Sequence, residues 1–196
     1  MTSGVSGWAW TARVYPGGYQ LSFAEGRTAA EMLAAFGVDP AAARMMTPLE
    51  AFEEFEGDPG VFRAGETGGW GFAVEEYTDP VPEQLLALSV GTRAVSVFRN
   101  LAGPHALSYF EDGAATFACE PLFPRWRHGS DADRFLEPMR AVGFDPDVEV
   151  DLDAFDPDMA ALDLLTVAFG IRLTEEQMTG PLLTGEVEID MSWLDP

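Results

Sequence analysis

The residue types that carry out nucleophilic, metal and proton-transfer chemistry are scarce in this chain. There is one cysteine, Cys119, and there are two histidines, His105 and His128. An activated nucleophile needs a neighbouring base, and no Gly-x-Ser-x-Gly elbow is present. Cys119 falls in an apolar, strand-like run, where a small buried side chain is the expected role. His105 follows Pro104 and reads as turn chemistry. The histidines and the cysteine do not fall into zinc spacing. The run Asp145, Asp147, Glu149, Asp151, Asp153, Asp156, Asp158 has the look of a calcium loop. It carries Val150 where the sixth-position glycine belongs and Asp156 where the twelfth-position glutamate belongs. Gly68-Gly69-Trp70-Gly71 lacks the Lys-Ser/Thr of a phosphate-binding loop and opens no helix, so hairpin glycine is its reading. No catalytic residue, metal ligand or cofactor is assigned, and the balance is against an enzyme.

One constellation remains. Arg125, Arg127, His128, Arg134 and Arg140 fall within sixteen residues of an otherwise acidic protein, with Trp126 between the first two. Arginines flanking a tryptophan suit stacking or anion recognition, with His128 as a general base. The competing reading is internal: the arginines pair with Asp131, Asp133 and Glu137, while Trp126 covers the core. Ordinary ion pairs of this kind are common, and the internal reading is favoured. Arg93 and Arg99 bracket the apolar run Ala94–Phe98 and either frame a pocket edge or mark the strand ends. The candidate partner- or ligand-binding residues are therefore Arg99, Asn100, Arg125, Trp126, Arg127 and His128.

The elements that must position these residues are read from pattern. Three capping-box spacings, Thr28–Glu31, Thr47–Glu50 and Thr174–Gln177, predict helix starts. Leu49, Phe52 and Phe55 follow the second at helical spacing. Further helices are predicted over 81–89, 130–143, with Pro138 a kink or early break, and 159–169. Strands are predicted at Tyr19–Phe23, Val61–Ala64, Trp70–Glu75, Ala94–Phe98, Leu107–Phe110 and Thr116–Cys119. Asp112-Gly113 is the strongest hairpin signal, and Val187–Met191 reads as an edge strand. The expected fold is α+β: an antiparallel sheet of about five strands with helices packed mainly on one face. Residues 1–18 read as a loose lead-in and 19–196 as one domain, with an acidic linker near 145–158.

Composition narrows the function classes. The chain has 196 residues and no lysine; eleven arginines face 33 Asp and Glu, a formal net charge of −22. Scarce Ile and Asn and abundant Ala, Gly, Pro, Arg and Asp point to a high-GC genome. Such a genome does not force a threefold excess of acid, because GC-rich codons supply Arg as readily as Asp. The resulting field opposes nucleic-acid phosphates and anionic membranes and attracts basic partners. Hydrophobic residues make up 47% of the chain, too many for a disordered acidic protein. With one cysteine, no signal-peptide pattern and no apolar run near the ~20 residues of a membrane span, the expected location is the cytoplasm.

The segment Gly91-Thr-Arg-Ala-Val-Ser-Val-Phe-Arg-Asn100 resembles an uncharacterised actinobacterial family of unknown function. The likeness extends through Tyr109–Gly113, Glu120–Arg125, Arg127–Asp131, the Gly69–Glu75 segment and Met139–Pro146. The family carries no assigned activity, so the resemblance implies no catalytic residues. Where that family has a further Gly-Trp element after the Glu75 strand, this chain has Glu76-Tyr77-Thr78-Asp79. The functional expectation is a non-enzymatic, cytosolic, immunity-like or regulatory protein that docks a basic protein. The alternative is a small-ligand sensor or unfamiliar enzyme with a pocket around Arg99, Asn100, Trp126 and His128.

Overall fold

The computed structural model describes residues 7–57, 60–76, 82–101, 103–148, 153 and 155–187. The element order is α1 (Thr11–Val14), β1 (Gly18–Glu25), α2 (Ala29–Ala35), β2 (Arg44–Met46), α3 (Pro48–Glu54), β3 (Val61–Thr67) and β4 (Trp70–Glu75). Then come α4 (Pro82–Leu88), β5 (Arg93–Asn100), β6 (Ala106–Glu111), β7 (Ala114–Cys119), a 3₁₀ turn at Pro124–Trp126, α5 (Leu136–Ala141), α6 (Pro157–Phe169), α7 (Glu175–Thr179) and β8 (Leu182–Glu186). None of these helices is long and apolar enough to cross a membrane.

The strands form one antiparallel sheet of eight, in the order β2-β8-β3-β4-β1-β5-β6-β7. This corrects the expected five. Two strands account for the excess beyond the predicted runs: β2 has three residues, too few for alternation to register, and β8 lies upstream of the expected edge strand. Val187 follows β8, and 188–191 lie outside the described residues. Central β1 joins two local units, the β3–β4 hairpin and the β5–β6–β7 meander. Both hairpins turn on two residues with positive φ: Gly68 (54°) and Gly69 (86°), and Asp112 (50°) and Gly113 (74°). That is the mirror-image turn whose twist matches the flanking strands.

Helices pack on both faces, not mainly on one. Strand side chains alternate, so odd positions of β1 and even positions of β4 share a face. Tyr19, Leu21, Phe23, Trp70, Phe72 and Val74 form a single core with Trp8, Trp10, α6, Ile171 and Met178. Ala160, Ala161, Leu162, Leu164 and Leu165 bury the inner side of α6, each leucine contributing about 1.5–3 kcal/mol. The stretch before Gly18, read from sequence as a lead-in, thus supplies Trp8, Trp10 and Tyr15 to this core. On the opposite face Ala24, Ala64, Ala73 and Ala94 present small side chains, and α2 and α4 settle on them through Met32, Leu33, Leu85 and Leu88.

All three capping boxes form, with Thr28, Thr47 and Thr174 each accepting from the backbone three residues on. The helix expected over 130–143 is only Leu136–Ala141. Pro138 sits in its first turn, where the backbone N–H has no helical partner, so it neither kinks nor breaks the helix. Of the acidic stretch 145–158, residues 149–152 and 154 lie outside the described residues.

Candidate functional site

The loop after β7 is positioned by an irregularity in the sheet. The register of β6 against β7 shifts between Tyr109 and Phe110, pairing Tyr109 with Phe117 but Phe110 with Ala115. Thr116 is the extra residue of a β-bulge. Its carbonyl accepts from Asp131 N–H at 2.9 Å, and His128 and Ala118 exchange two backbone bonds of 2.8 Å. Gly129 (φ +123°) packs so closely that a Cβ would lie 2.3 Å from the Thr116 oxygen. Residues 128–131 are therefore pinned to β7, and the preceding turn at Pro124–Trp126 lies beside the same strand with Pro124 buried.

Within that loop the candidate side chains part company. Trp126 is 62% exposed and stacks on the 40%-exposed Phe123 with ring centroids 4.8 Å apart. It does not cover the core. The Arg125 guanidinium lies over the Trp126 ring at 5.5 Å. Arg127 turns the other way: its side chain is 16% exposed, donates to Asp133 at 2.7 Å and lies 3.8 Å from Asp147. Arg134 pairs with Glu111 and Arg140 with Asp147. The His128 ring is exposed, and its Nδ1 lies 3.4 Å from the Trp126 carbonyl.

Arg99 and Asn100 end β5 at another place. Arg99 Nε donates to Asp158 Oδ2 at 3.2 Å, while one terminal nitrogen, Nη1, is buried without a partner. Asp158 lies in the first turn of α6, where a carboxylate is favoured by the helix dipole. Its other oxygen meets His105 Nδ1 at 2.5 Å, and His105 Nε2 faces the Asn100 carbonyl at 3.0 Å. Both ring nitrogens thus face oxygens. Arg99 is opposite Tyr19 in the sheet, on the α6 side. The structure does not bring Arg99 and Asn100 together with Trp126. It does bring His128 and His105 to one cavity, of about 310 Å³, under α4.

Cys119 is buried and unbonded, and burial pushes its thiol up to about 12. A thiol is nucleophilic as the thiolate, so this site disfavours it as a nucleophile. Tyr19 is likewise raised, first by burial and then by the Asp158 charge.

Sequence reasoning passed over a different surface. Leu49 (66%) and Phe52 (62%) on α3 and Met45 (63%) on β2 are exposed. Residues 45–57 hold Glu50, Glu53, Glu54 and Glu56 and no basic residue. The helical spacing of Leu49 and Phe52 was visible, but spacing does not say whether the face is covered. Nine of the eleven arginines, meanwhile, are engaged with acceptors within the protein. Arg13, Arg27, Arg44, Arg93, Arg99, Arg127, Arg134 and Arg140 pair with its own carboxylates. Buried Arg63 donates to the carbonyls of Met178 and Gly180 at 2.9 Å each.

A family model described as "Family of unknown function (DUF6461)" matches residues 7–185, and the chain belongs to this family. No curated protein and no solved structure matches it.

Proposed function

We propose that this family member is a non-enzymatic binding protein that docks a basic protein partner, in an inhibitory or regulatory role, through α3 and the adjoining β2 edge. The observation that carries this reading is the α3 surface, where exposed Leu49, Phe52 and Met45 lie among glutamates. An apolar centre with a charged rim is the anatomy of a protein interface, and exposed apolar side chains grouped in this way mark contact sites. The charge selects the partner. Of the four glutamates in 45–57, Glu54 is paired with Arg44. Glu50 accepts from Thr47 in its capping box, yet keeps its charge exposed to solvent. The net charge of −22 adds a long-range field that steers cations toward the molecule.

The test uses the protein as bait in extract from its source organism at low salt, followed by a salt wash. Wild type is compared with Leu49→Ser/Phe52→Ser, both exposed changes expected to alter stability by no more than about 0.5 kcal/mol. Support is a stoichiometric basic protein released by salt from wild type and missing from the variant, at unchanged melting temperature. Equal capture by both baits, or no basic protein in the salt eluate, defeats the proposal.

A further inference from the structure

We propose a second, independent binding site: the cavity of about 310 Å³ between α4 and strands β5–β7, which takes a neutral aromatic molecule of about two rings bearing one hydroxyl or ring N–H. It lies toward the β7 edge of the sheet, away from the β2 edge that carries α3. Three observations support it.

The first is a pair of available hydroxyls. Ser96 is 3% exposed, lines the cavity, and makes no hydrogen bond through its hydroxyl to any described residue. Ser108 stands directly opposite Ser96 on β6, and its hydroxyl is unengaged in the same sense. Each hydroxyl therefore has its hydrogen-bonding capacity available to a ligand. Two of them side by side on adjacent strands form a donor–acceptor pair suited to one O–H or N–H group.

The second is the shape and lining. Leu85 from α4, Phe110 from β6 and Ala118 from β7 form apolar walls. The floor is low because Ser96, Ser108 and Ala118 are small and stand in one row across three strands. A cavity of ~150 Å³ holds benzene, so this volume fits about two fused rings. It lies at the lower end of small-molecule sites, roughly 300–1,000 Å³.

The third is electrostatic. Glu120 and His128 line the opening, and the whole protein carries −22. An anionic ligand would meet a carboxylate at the mouth and a repulsive field on approach. A neutral ligand with a hydrogen-bonding group meets neither obstacle, and the His128 ring offers it a second polar contact.

The experiment is calorimetric titration of the full chain with 2-naphthol, with 2-naphthoate as the anionic comparator, repeated on Ser96→Ala and Ala118→Phe. The expected result is 2-naphthol binding with Kd on the order of 1 mM or tighter, and 2-naphthoate at least about tenfold weaker. Ser96→Ala removes one hydroxyl and weakens 2-naphthol about fivefold, the usual value of one neutral hydrogen bond. Ala118→Phe fills the space and abolishes binding. Ser96→Ala is small enough to fold even where Ala118→Phe does not. No heat with 2-naphthol up to its solubility limit overturns the proposal. So does equal affinity for 2-naphthoate, or an unchanged Kd in Ser96→Ala.

Discussion

Whether Arg99 belongs to the fold or is free to recognise a ligand turns on its bond to Asp158, and a double-mutant cycle decides it. Asp158→Asn keeps the shape and removes the charge; Arg99→Met keeps the stem and removes the guanidinium. The side chains of Arg99 and Asp158 are 23% and 20% exposed, and the bond is 3.2 Å. A hydrogen bond to a charged group contributes about 1.5–3 kcal/mol when buried, and residual solvent reduces that here. The expected coupling energy is about 1–2 kcal/mol. Asp158→Asn alone costs more, about 2–4 kcal/mol. It strands an arginine that already has one buried, unpartnered nitrogen, weakens the His105 contact and removes a favourable charge from the α6 N-terminus. Domain stability is commonly 5–15 kcal/mol, so the single variants still fold. Urea unfolding at pH 7 followed by tryptophan fluorescence supplies all four corners of the cycle. Additivity within about 0.3 kcal/mol would refute the reasoning and return Arg99 to the pool of available cations.

Cys119, buried and pushed up to about 12, should not react with a disulfide reagent at pH 7.5 until urea unfolds the chain; stoichiometric labelling of native protein within minutes contradicts this. The Arg93 hydrogen bond holds Glu25 below the usual carboxylate range, so the pair stabilises above the unfolded pKa of roughly 4.3 and that stabilisation is lost as pH falls through the folded value. Glu25→Gln should therefore lower stability slightly at pH 7, by under about 1 kcal/mol for so exposed a pair, and by less at pH 3; an equal difference at both pH values is the adverse result. Arg127→Gln should reduce stability by about 1 kcal/mol and Arg125→Gln should not, because only Arg127 reaches Asp133; equal urea midpoints for the two would count against it. Gly129→Ala places a Cβ 2.3 Å from the Thr116 oxygen and should cost about 2 kcal/mol or more; an unchanged urea midpoint would show that the loop can shift.

Local signals survived folding because local chemistry sets them. Thr28, Thr47 and Thr174 cap their helices with the reciprocal side chain in place, and Asp112-Gly113 turns as its φ preference requires. What could not be read is which elements meet. The Arg44–Met46 strand exists because β8 pairs with it, a partner some 140 residues away whose own strand was sought a few residues too late. The two-sided helix cover was hidden for a similar reason. Ala24, Ala64, Ala73 and Ala94 read as filler in four separate strands, and only their assembly into one face makes them a seat for α2 and α4. Leu49 and Phe52 illustrate the converse. A helical stripe is the same pattern whether a neighbour covers it or not, and among the described residues Leu49 and Phe52 stay exposed.

The candidate cavity depends on one residue of register. The Asp112-Gly113 turn by itself, continued without interruption from the Glu111–Ala114 pair, would set Ser108 opposite Phe117. That would send the phenyl ring to the α4 side, into the space above Ser96 and Ser108. The bulge at Thr116 moves the pairing so that Ala118 faces Ser108 and Phe117 faces Tyr109. A one-residue shift exchanges the two faces of a strand. Phe117 therefore joins the main core, 1% exposed, and alanine stands where the ring would have been. The same bulge frees the Thr116 carbonyl to hold Asp131, which pins the loop that delivers His128 to the cavity mouth. Floor, wall and rim are thus linked through a single inserted residue. Its signature in the sequence, one threonine between two alternating runs, is indistinguishable from an ordinary strand.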